Sequence, residues 1–165
     1  MIEVEEMGRA EIADLLSRVR VGHLGCTRNN IPYVVPVHFA YSEPELYIYT
    51  TEGKKSEIIR SNPQVCLQVD QVRNDSSWRS VIVTGEAQLL EDPEERENAV
   101  RQITAVNPTL TPAVSIHWMD NWVRENREVV YRIKSRLMTG RKTVKRRKKS
   151  SVLIATVNRH RHSIY

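Results

Sequence analysis

The chain has 165 residues, of which 40% are hydrophobic and 27% charged, as in an ordinary globular protein of one domain. No apolar run approaches the roughly 20 residues of a membrane-spanning helix. The acidic N-terminal stretch also lacks the basic-then-apolar layout of a signal peptide, so we expect a cytoplasmic protein without a membrane partner.

The formal net charge of +5 is unevenly distributed along the chain. Residues 1–140 contain 16 basic and 20 acidic residues, whereas residues 141–165 contain nine basic residues and no acidic ones. We therefore expect a folded domain over 1–140 and a basic C-terminal extension over 141–165. A basic run can neutralise nucleic-acid phosphates. The extension has a single aromatic residue for stacking on bases, however, and the domain is acidic, so a nucleic-acid partner is disfavoured.

Three segments have clear helical features. Apolar residues recur at helical spacing over 9–19, which predicts an amphipathic helix. A short helix is predicted over 54–61, between Gly53 and Pro63. The third helix begins after Asp92, a favourable N-cap residue, with Pro93 at its first position. Residues 107–114 are predicted to be a loop and 115–123 a short helix.

The β-rich segments are joined mostly by short turns. Strands are predicted for VGHLGCT, YVVPVHFAY, LYIYTT, QVCLQVDQV, SVIVTGEAQLL and EVVYRIKSRLM. Turn residues such as RNN and SEPE lie between them. Hairpin connections favour an antiparallel sheet curled into a barrel over a doubly wound fold.

Two positions break local rules. Lys54 and Lys55 open a helix, although cations are disfavoured at a helix N-terminus. An anion bound there would make this placement favourable, and a solvated surface pair is the alternative. Pro36 lies within a strand, where it removes a ladder N–H. Either the strand is a plain edge strand, or its backbone borders a ligand.

The ordered set GHLGCT, NNIPYVVPVHFAY, LYIYTTEGKKSEIIRSNPQVCLQVD and WRSVIVTGEAQLLED resembles the pyridoxamine 5′-phosphate oxidase-like FMN-binding split-barrel superfamily, especially its small nitroimidazole-resistance-protein-like members. The resemblance covers roughly residues 10 to 140. It implies a mainly β fold, a six-stranded antiparallel split barrel. It also implies a homodimer with FMN in two clefts at its interface.

The resemblance further implies a set of cofactor-binding residues. The first group lies along the isoalloxazine ring and comprises Val35, Pro36, Val37 and His38. The second group would hold the FMN phosphate and comprises Thr50, Thr51, Lys54, Lys55 and Ser56. The third group supplies further flavin contacts, commonly from the partner-facing side of the cleft, and comprises Trp78, Arg79, Ser80 and Val81.

The residues themselves indicate no catalytic constellation and no metal site. There is no Ser/His/Asp order, HExxH motif or P-loop, and Cys26 and Cys66 lack metal-ligand spacing. A flavoenzyme needs no such constellation, because the cofactor supplies the redox chemistry. His38 could donate a proton to a substrate, and a hydrogen-bonded barrel histidine is the alternative. The catalytic residues are therefore not identified.

Two classes of function remain open. The first is a flavin-dependent oxidoreductase acting on a small electron-poor substrate, such as a nitroaromatic, quinone-like or pyridoxal-type compound. NAD(P)H would then bind transiently, since no dinucleotide fingerprint is present. The second is a non-catalytic module that holds a flavin or haem on the same barrel.

Overall fold

The computed structural model describes residues 2–108 and 127–145. Within them, seven strands and three helices follow one another along the chain. These are β1 (Ile2–Glu6), α1 (Arg9–Arg18), β2 (Val21–Arg28), β3 (Ile31–Ser42), β4 (Glu45–Thr51), α2 (Lys54–Ser61), β5 (Gln64–Asn74), β6 (Ser77–Leu89), α3 (Pro93–Val106) and β7 (Glu128–Lys145). The helix predicted over 115–123 lies outside the described residues. Among the described helices, none has the length and apolar character needed to cross a membrane.

The strands form one antiparallel sheet in the order β1-β7-β4-β3-β2-β5-β6, and a further pairing of β6 with β7 closes it. Strands β2 to β7 therefore make a ring of six, which confirms the predicted mainly β barrel. Strand β1 is a seventh strand that the sequence did not predict. Closure leaves few unpaired strand edges, which stabilises a small sheet.

Local sequence explains several of these elements. Asn29 and Asn30 have φ values of 53° and 60° and form the tight turn between β2 and β3. Asparagine tolerates this left-handed region better than most residues, and paired positive φ values suit a hairpin. The Oδ1 atom of Asp92 accepts a hydrogen bond of 2.8 Å from the Glu95 N–H, which confirms the predicted cap of α3.

The barrel interior is one apolar cluster that includes the fully buried Phe39, Leu24, Leu67 and Val83. Helix α1 contributes Leu15 and Leu16, among other residues, to this cluster. Helix α3 packs through Ala99 and Ile103 against a second cluster on the outside of β3, β4 and β7. Burial of these side chains, each contributing about 1.5–3 kcal/mol, is the main stabilising contribution to the barrel.

Strand β7 extends beyond the predicted domain boundary. The boundary was placed after Gly140, but β7 continues to Lys145, and its last five residues pair with β1. The strand β1 contains Glu3, Glu5 and Glu6, and the paired end of β7 is basic. Opposite charges on adjacent strands favour this pairing. Residues 141–145 thus belong to the sheet, and the rest of the predicted extension lies outside the described residues.

Candidate functional site

Strands β3 and β4 separate partway along their length. Their ladder runs from Ser42–Glu45 to His38–Tyr49 and ends there. Beyond it, residues 31–37 of β3 pair with β2, and Thr50 and Thr51 of β4 pair with β7. One edge of β3 therefore lies outside the ladder with β4 over this stretch. Backbone groups at such an edge are available to a ligand or to solvent.

Pro36 lies within this separated part of β3. Its Cα partner is His23 on β2, and no ladder partner occupies its other side among the described residues. Both sequence interpretations of Pro36 required such an edge, and the structure explains why the proline is tolerated. The β3 residues alternate as predicted, with Val35 and Val37 facing the barrel and Pro36 and His38 facing outward.

Helix α2 begins next to this edge, with an N-terminus that no side chain caps. The cap residue is Gly53, and the side chain of Asn62 at the other end anchors the helix to the Thr27 carbonyl of β2 at 3.0 Å. An uncapped N-terminus presents unpaired N–H groups and a partial positive charge. It is therefore suited to bind an anion.

Lys54 and Lys55 occupy the first two positions of α2, as the sequence predicted. The Lys54 ammonium lies 4.8 Å from the centre of the Tyr33 ring on β3. The Lys55 ammonium donates a hydrogen bond of 2.9 Å to the Thr51 carbonyl. No carboxylate among the described residues forms an ion pair with either lysine, and the nearby Glu52 pairs with Arg60 instead.

The environment of Lys55 disfavours its charge. Burial lowers the pKa of the Lys55 ammonium, and the nearby Cys26 thiol only partly offsets this effect. An ammonium group has three donors, of which the Thr51 carbonyl takes one. An anion at this position would accept hydrogen bonds from the remaining donors and would act against the lowering of the pKa.

Ser56 and Thr51 are the buried polar residues at the same helix end. The Ser56 side chain is 2% exposed, and its Oγ atom has no hydrogen-bond partner within the described chain. An unsatisfied buried hydroxyl costs about 1–3 kcal/mol. Thr51 is also buried, and Thr50 is partly exposed at the end of β4. The N-terminus of α2 therefore brings together two lysines, the Ser56 hydroxyl, which has no partner within the described chain, and an uncapped helix end.

The segment from Trp78 to Val81 is not part of this cluster in a single chain. It lies on β6, which two strands, β2 and β5, separate from β3. Val81 is completely buried in the barrel, so its side chain cannot reach an external cleft. The Arg79 guanidinium is held by Gln71 at 2.9 Å and by Asp14 at 3.3 Å. Trp78 and Ser80 remain as partly exposed members of the group.

The candidate His38 and its neighbour on β2, His23, both face outward. His38 is exposed, and His23 lies 3.1 Å through Nδ1 from the Gln68 amide oxygen. The register aligns His23 with Pro36 and places Val21 opposite His38. Both histidines are therefore on the outer sheet face next to the open edge of β3, and neither is enclosed in the barrel.

Sequence reasoning did not identify Tyr33, the residue over which Lys54 lies. Its only sequence signal is an aromatic residue three positions after Asn30. The contact depends on how α2 packs beside β3, and this packing cannot be read from local pattern.

The comparisons with known proteins agree with this architecture. A family model described as pyridoxamine 5′-phosphate oxidase matches residues 8–142. The chain belongs to the pyridoxamine 5′-phosphate oxidase-like family. An uncharacterised protein of Rhizobium meliloti (strain 1021) is 37% identical over 87 residues, which cover 53% of this chain and 58% of that relative. The match thus spans little more than half of the relative's length.

Two solved structures extend the comparison. A FAD-binding protein from Mesorhizobium loti is 30% identical, covers 88% of this chain and 100% of its own, and has a TM-score of 0.69. A candidate 5-nitroimidazole antibiotic resistance protein from Bacteroides thetaiotaomicron is 23% identical, covers 87% of this chain and 89% of its own, and has a TM-score of 0.68. At that identity the second similarity shows the fold alone. Both structures have the split barrel found here.

Proposed function

We propose that the protein binds FMN where β3 and β4 separate, with the phosphate at the N-terminus of α2. The observation that carries this proposal is the cluster of Lys54, Lys55 and Ser56, none of which has an anionic partner in the described chain. A phosphate monoester would accept charge-assisted hydrogen bonds from both ammonium groups and the hydroxyl. Membership of the family and the FAD-binding relative support a flavin nucleotide as the molecule to which this phosphate belongs.

The open edge of β3 is proposed to lie along the isoalloxazine ring. Val35 and Val37 anchor the strand in the barrel by their side chains, so their backbone would border the ring. Pro36 and His38 project outward together, on the face opposite to Val35 and Val37. Bound flavin would supply the redox chemistry, while these residues position it and limit access of water.

A homodimer is part of the proposal, because exposed apolar side chains lie on the outer surface of the closed barrel. The register places Val34, Gly25, Cys66, Thr84 and Leu137 in one row across β3, β2, β5, β6 and β7. Val34 is 62% exposed and Leu137 is 58% exposed. An exposed apolar face of this kind is typical of an interface. Pairing two such faces would also bring the partner's β6 segment towards the flavin.

The dimer can be tested with two matched substitutions. Val34→Glu places a charge on the proposed interface, whereas Val4→Glu places it on a valine of β1 with similar exposure. We expect Val34→Glu to give a monomer by light scattering and to lose FMN, and Val4→Glu to remain a dimer with flavin bound. A wild-type monomer that retains flavin would contradict the proposed dimer.

The proposed activity is flavin-dependent reduction of a small electron-poor substrate such as a nitroaromatic or quinone-like compound. His38 is exposed beside the proposed flavin site, where such a substrate would contact it. The reduction can be tested without knowing the physiological donor, by reducing the bound flavin with dithionite under anaerobic conditions. We expect a nitroaromatic or a quinone to reoxidise the protein-bound flavin faster than it reoxidises free reduced FMN. Equal rates for the bound and the free flavin, with both compounds, would instead indicate a non-catalytic flavin carrier.

A further inference from the structure

A hydrogen-bonded row of polar side chains crosses the outer face of β2, β5 and β6. The Nδ1 atom of His23 on β2 lies 3.1 Å from the Oε1 atom of Gln68 on β5. The Nε2 atom of Gln68 donates hydrogen bonds of 3.1 Å to the Oδ1 atom of Asp70 and of 3.2 Å to the Oγ atom of Ser80 on β6. None of these four residues is buried, so the row is not needed to satisfy polar groups removed from water. Its effect is to orient the His23 ring.

The Asp70 carboxylate decides which ring nitrogen of His23 carries a hydrogen. A carboxylate only accepts hydrogen bonds, so the Gln68 amide must turn its NH₂ group towards Asp70 and its Oε1 atom towards His23. Since Oε1 is also only an acceptor, Nδ1 of His23 must be the donor. The Nε2 atom of neutral His23 therefore has the free lone pair. If Nε2 gains a proton, the Nδ1–H bond to Gln68 persists, so proton exchange at Nε2 leaves the row of hydrogen bonds unchanged.

His23 lies beside the proposed flavin site. Its register partner is Pro36, which has no ladder partner on its other side among the described residues. Side chains that face each other on adjacent antiparallel strands have Cβ atoms about 4.5–5.5 Å apart. Ser80, at the other end of the row, belongs to the β6 group proposed to contact the flavin across the dimer interface. The His23 ring is therefore held on the surface that would border both flavin and substrate.

We propose that His23 delivers a proton to the substrate of the flavin-dependent reduction, with Gln68 and Asp70 as positioning residues. The inference rests on the proposed function, because it assigns the proton that this reduction consumes. Conversion of a quinone to a hydroquinone takes two electrons and two protons, of which anionic reduced flavin supplies both electrons and one proton. The second proton comes from Nε2 of the His23 imidazolium, where an N–H bond breaks as an O–H bond forms on the quinone oxygen. His23 is exposed and regains a proton from solvent.

The positioning of His23 can be tested without flavin or activity. Long-range proton–nitrogen NMR correlations identify which ring nitrogen of neutral His23 carries the hydrogen in the full-length, flavin-free protein. Gln68→Leu removes the partner of Nδ1, and Gln64→Leu is the matched control, an exposed glutamine on the same face of β5 but outside the row. We expect the Nδ1–H form in wild type and Gln64→Leu, and loss of this preference in Gln68→Leu. An Nε2–H form in wild type, or the same form in all three proteins, would overturn the inference.

Proton delivery is then measured by anaerobic reoxidation of the dithionite-reduced, FMN-loaded protein with benzoquinone. We expect His23→Gln to slow this step by about 100-fold, a typical contribution of a general acid. Gln68→Leu should slow it by about tenfold, as for loss of one hydrogen bond, and Gln64→Leu should leave it unchanged. Added imidazole should restore part of the rate of His23→Ala, which a merely structural histidine would not allow.

Two results would overturn proton delivery by His23. One is a wild-type reoxidation rate in His23→Gln with FMN bound, and the other is a slow His23→Ala that imidazole does not accelerate. Failure of the proposed function is distinguishable from both, because wild type would then bind no FMN or reoxidise no faster than free reduced FMN. The NMR result on the His23 ring would be unaffected by that failure.

Discussion

The helices α1 and α2 each bring cations to the barrel, but the two sets have different partners. At α1, Lys142 pairs with Glu11, and Arg79 pairs with Asp14. At α2, Lys54 contacts an aromatic ring and Lys55 a backbone carbonyl, and neither has a carboxylate among the described residues. Ion pairs within the chain therefore support the fold at α1. The missing counter-charge at α2 is the reason for proposing that an external anion binds there.

The pKa values follow the same division. Hydrogen bonds from Lys142 and from the Gly8 N–H hold the pKa of Glu11 below its ordinary value, and the hydrogen bond from Arg18, with a further one from Arg79, does so for Asp14. Burial lowers the pKa of Lys55 at α2. Charge is thus favoured at α1 by partners that are already present, whereas at α2 burial disfavours it in the chain alone.

The largest effect that separates the two ends is expected for Lys55→Ala. Loss of a charge-assisted hydrogen bond to phosphate should weaken FMN binding by about 10- to 100-fold. Lys142→Ala is the control, since it removes a lysine that already has a carboxylate partner, and it should leave FMN affinity unchanged. Fluorescence quenching of FMN measures both. A similar loss in the two variants would remove the distinction between the ends.

A smaller effect is expected for Ser56→Ala, with opposite signs in the two states. The flavin-free variant should be more stable than wild type by about 1 kcal/mol, because a buried hydroxyl without a partner is removed. FMN affinity should fall by up to about tenfold, because the proposed phosphate contact is lost. Chemical denaturation and flavin titration measure the two quantities. Destabilisation of the flavin-free form would show that Ser56 already has a structural partner.

Lowering the pH should reduce the stability of the fold through the carboxylates of α1 rather than through groups at α2. Since the folded pKa values of Glu11 and Asp14 are lowered, their stabilising contribution is present above the ordinary values of 4.5 and 3.8 and is lost as pH falls through the folded values. Glu11→Gln and Asp14→Asn should each reduce the fall in Tm between pH 6 and pH 3. The effect should be small, because these pairs are exposed to solvent. An unchanged pH dependence in both variants would show that these pairs do not contribute.

The smallest effect is expected for removal of the C-terminal extension. A chain ending at Lys145 keeps all of β7, and we expect it to bind FMN within about twofold of the full chain. A chain ending at Gly140 loses the pairing with β1 and the Lys142–Glu11 pair, so its Tm should fall. Loss of flavin by the folded chain that ends at Lys145 would show that the extension contributes to the site.

Local signals predicted most of the barrel. The Asn29–Asn30 turn, the Asp92 cap and the alternation along β3 each depend on a few neighbouring residues. Strand β1 was missed because its acidic residues become a strand only beside the basic end of β7, far away in sequence. The same separation in sequence explains why the domain boundary was predicted after Gly140. Residues 141–145 have the composition of the basic extension, and their pairing with β1 is visible only in the fold.

Prediction of the site was similarly uneven. Two lysines at a helix N-terminus are a local anomaly, and neither forms an ion pair with a residue in the described part of the chain. The alternation along β6 could have revealed that Arg79 and Val81 face the barrel while Trp78 and Ser80 face outward. The contact between Lys54 and Tyr33 gave no such signal, because it depends on tertiary packing.

The most direct test of the central claim compares FMN with riboflavin, which lacks the phosphate. Both flavins are titrated by fluorescence quenching against wild type, Lys54→Ala and Lys55→Ala. We predict that wild type prefers FMN and that each variant loses about 10- to 100-fold in FMN affinity while riboflavin affinity hardly changes. Equal losses for both flavins, or no loss for FMN in either variant, would show that the anion at α2 is not the flavin phosphate.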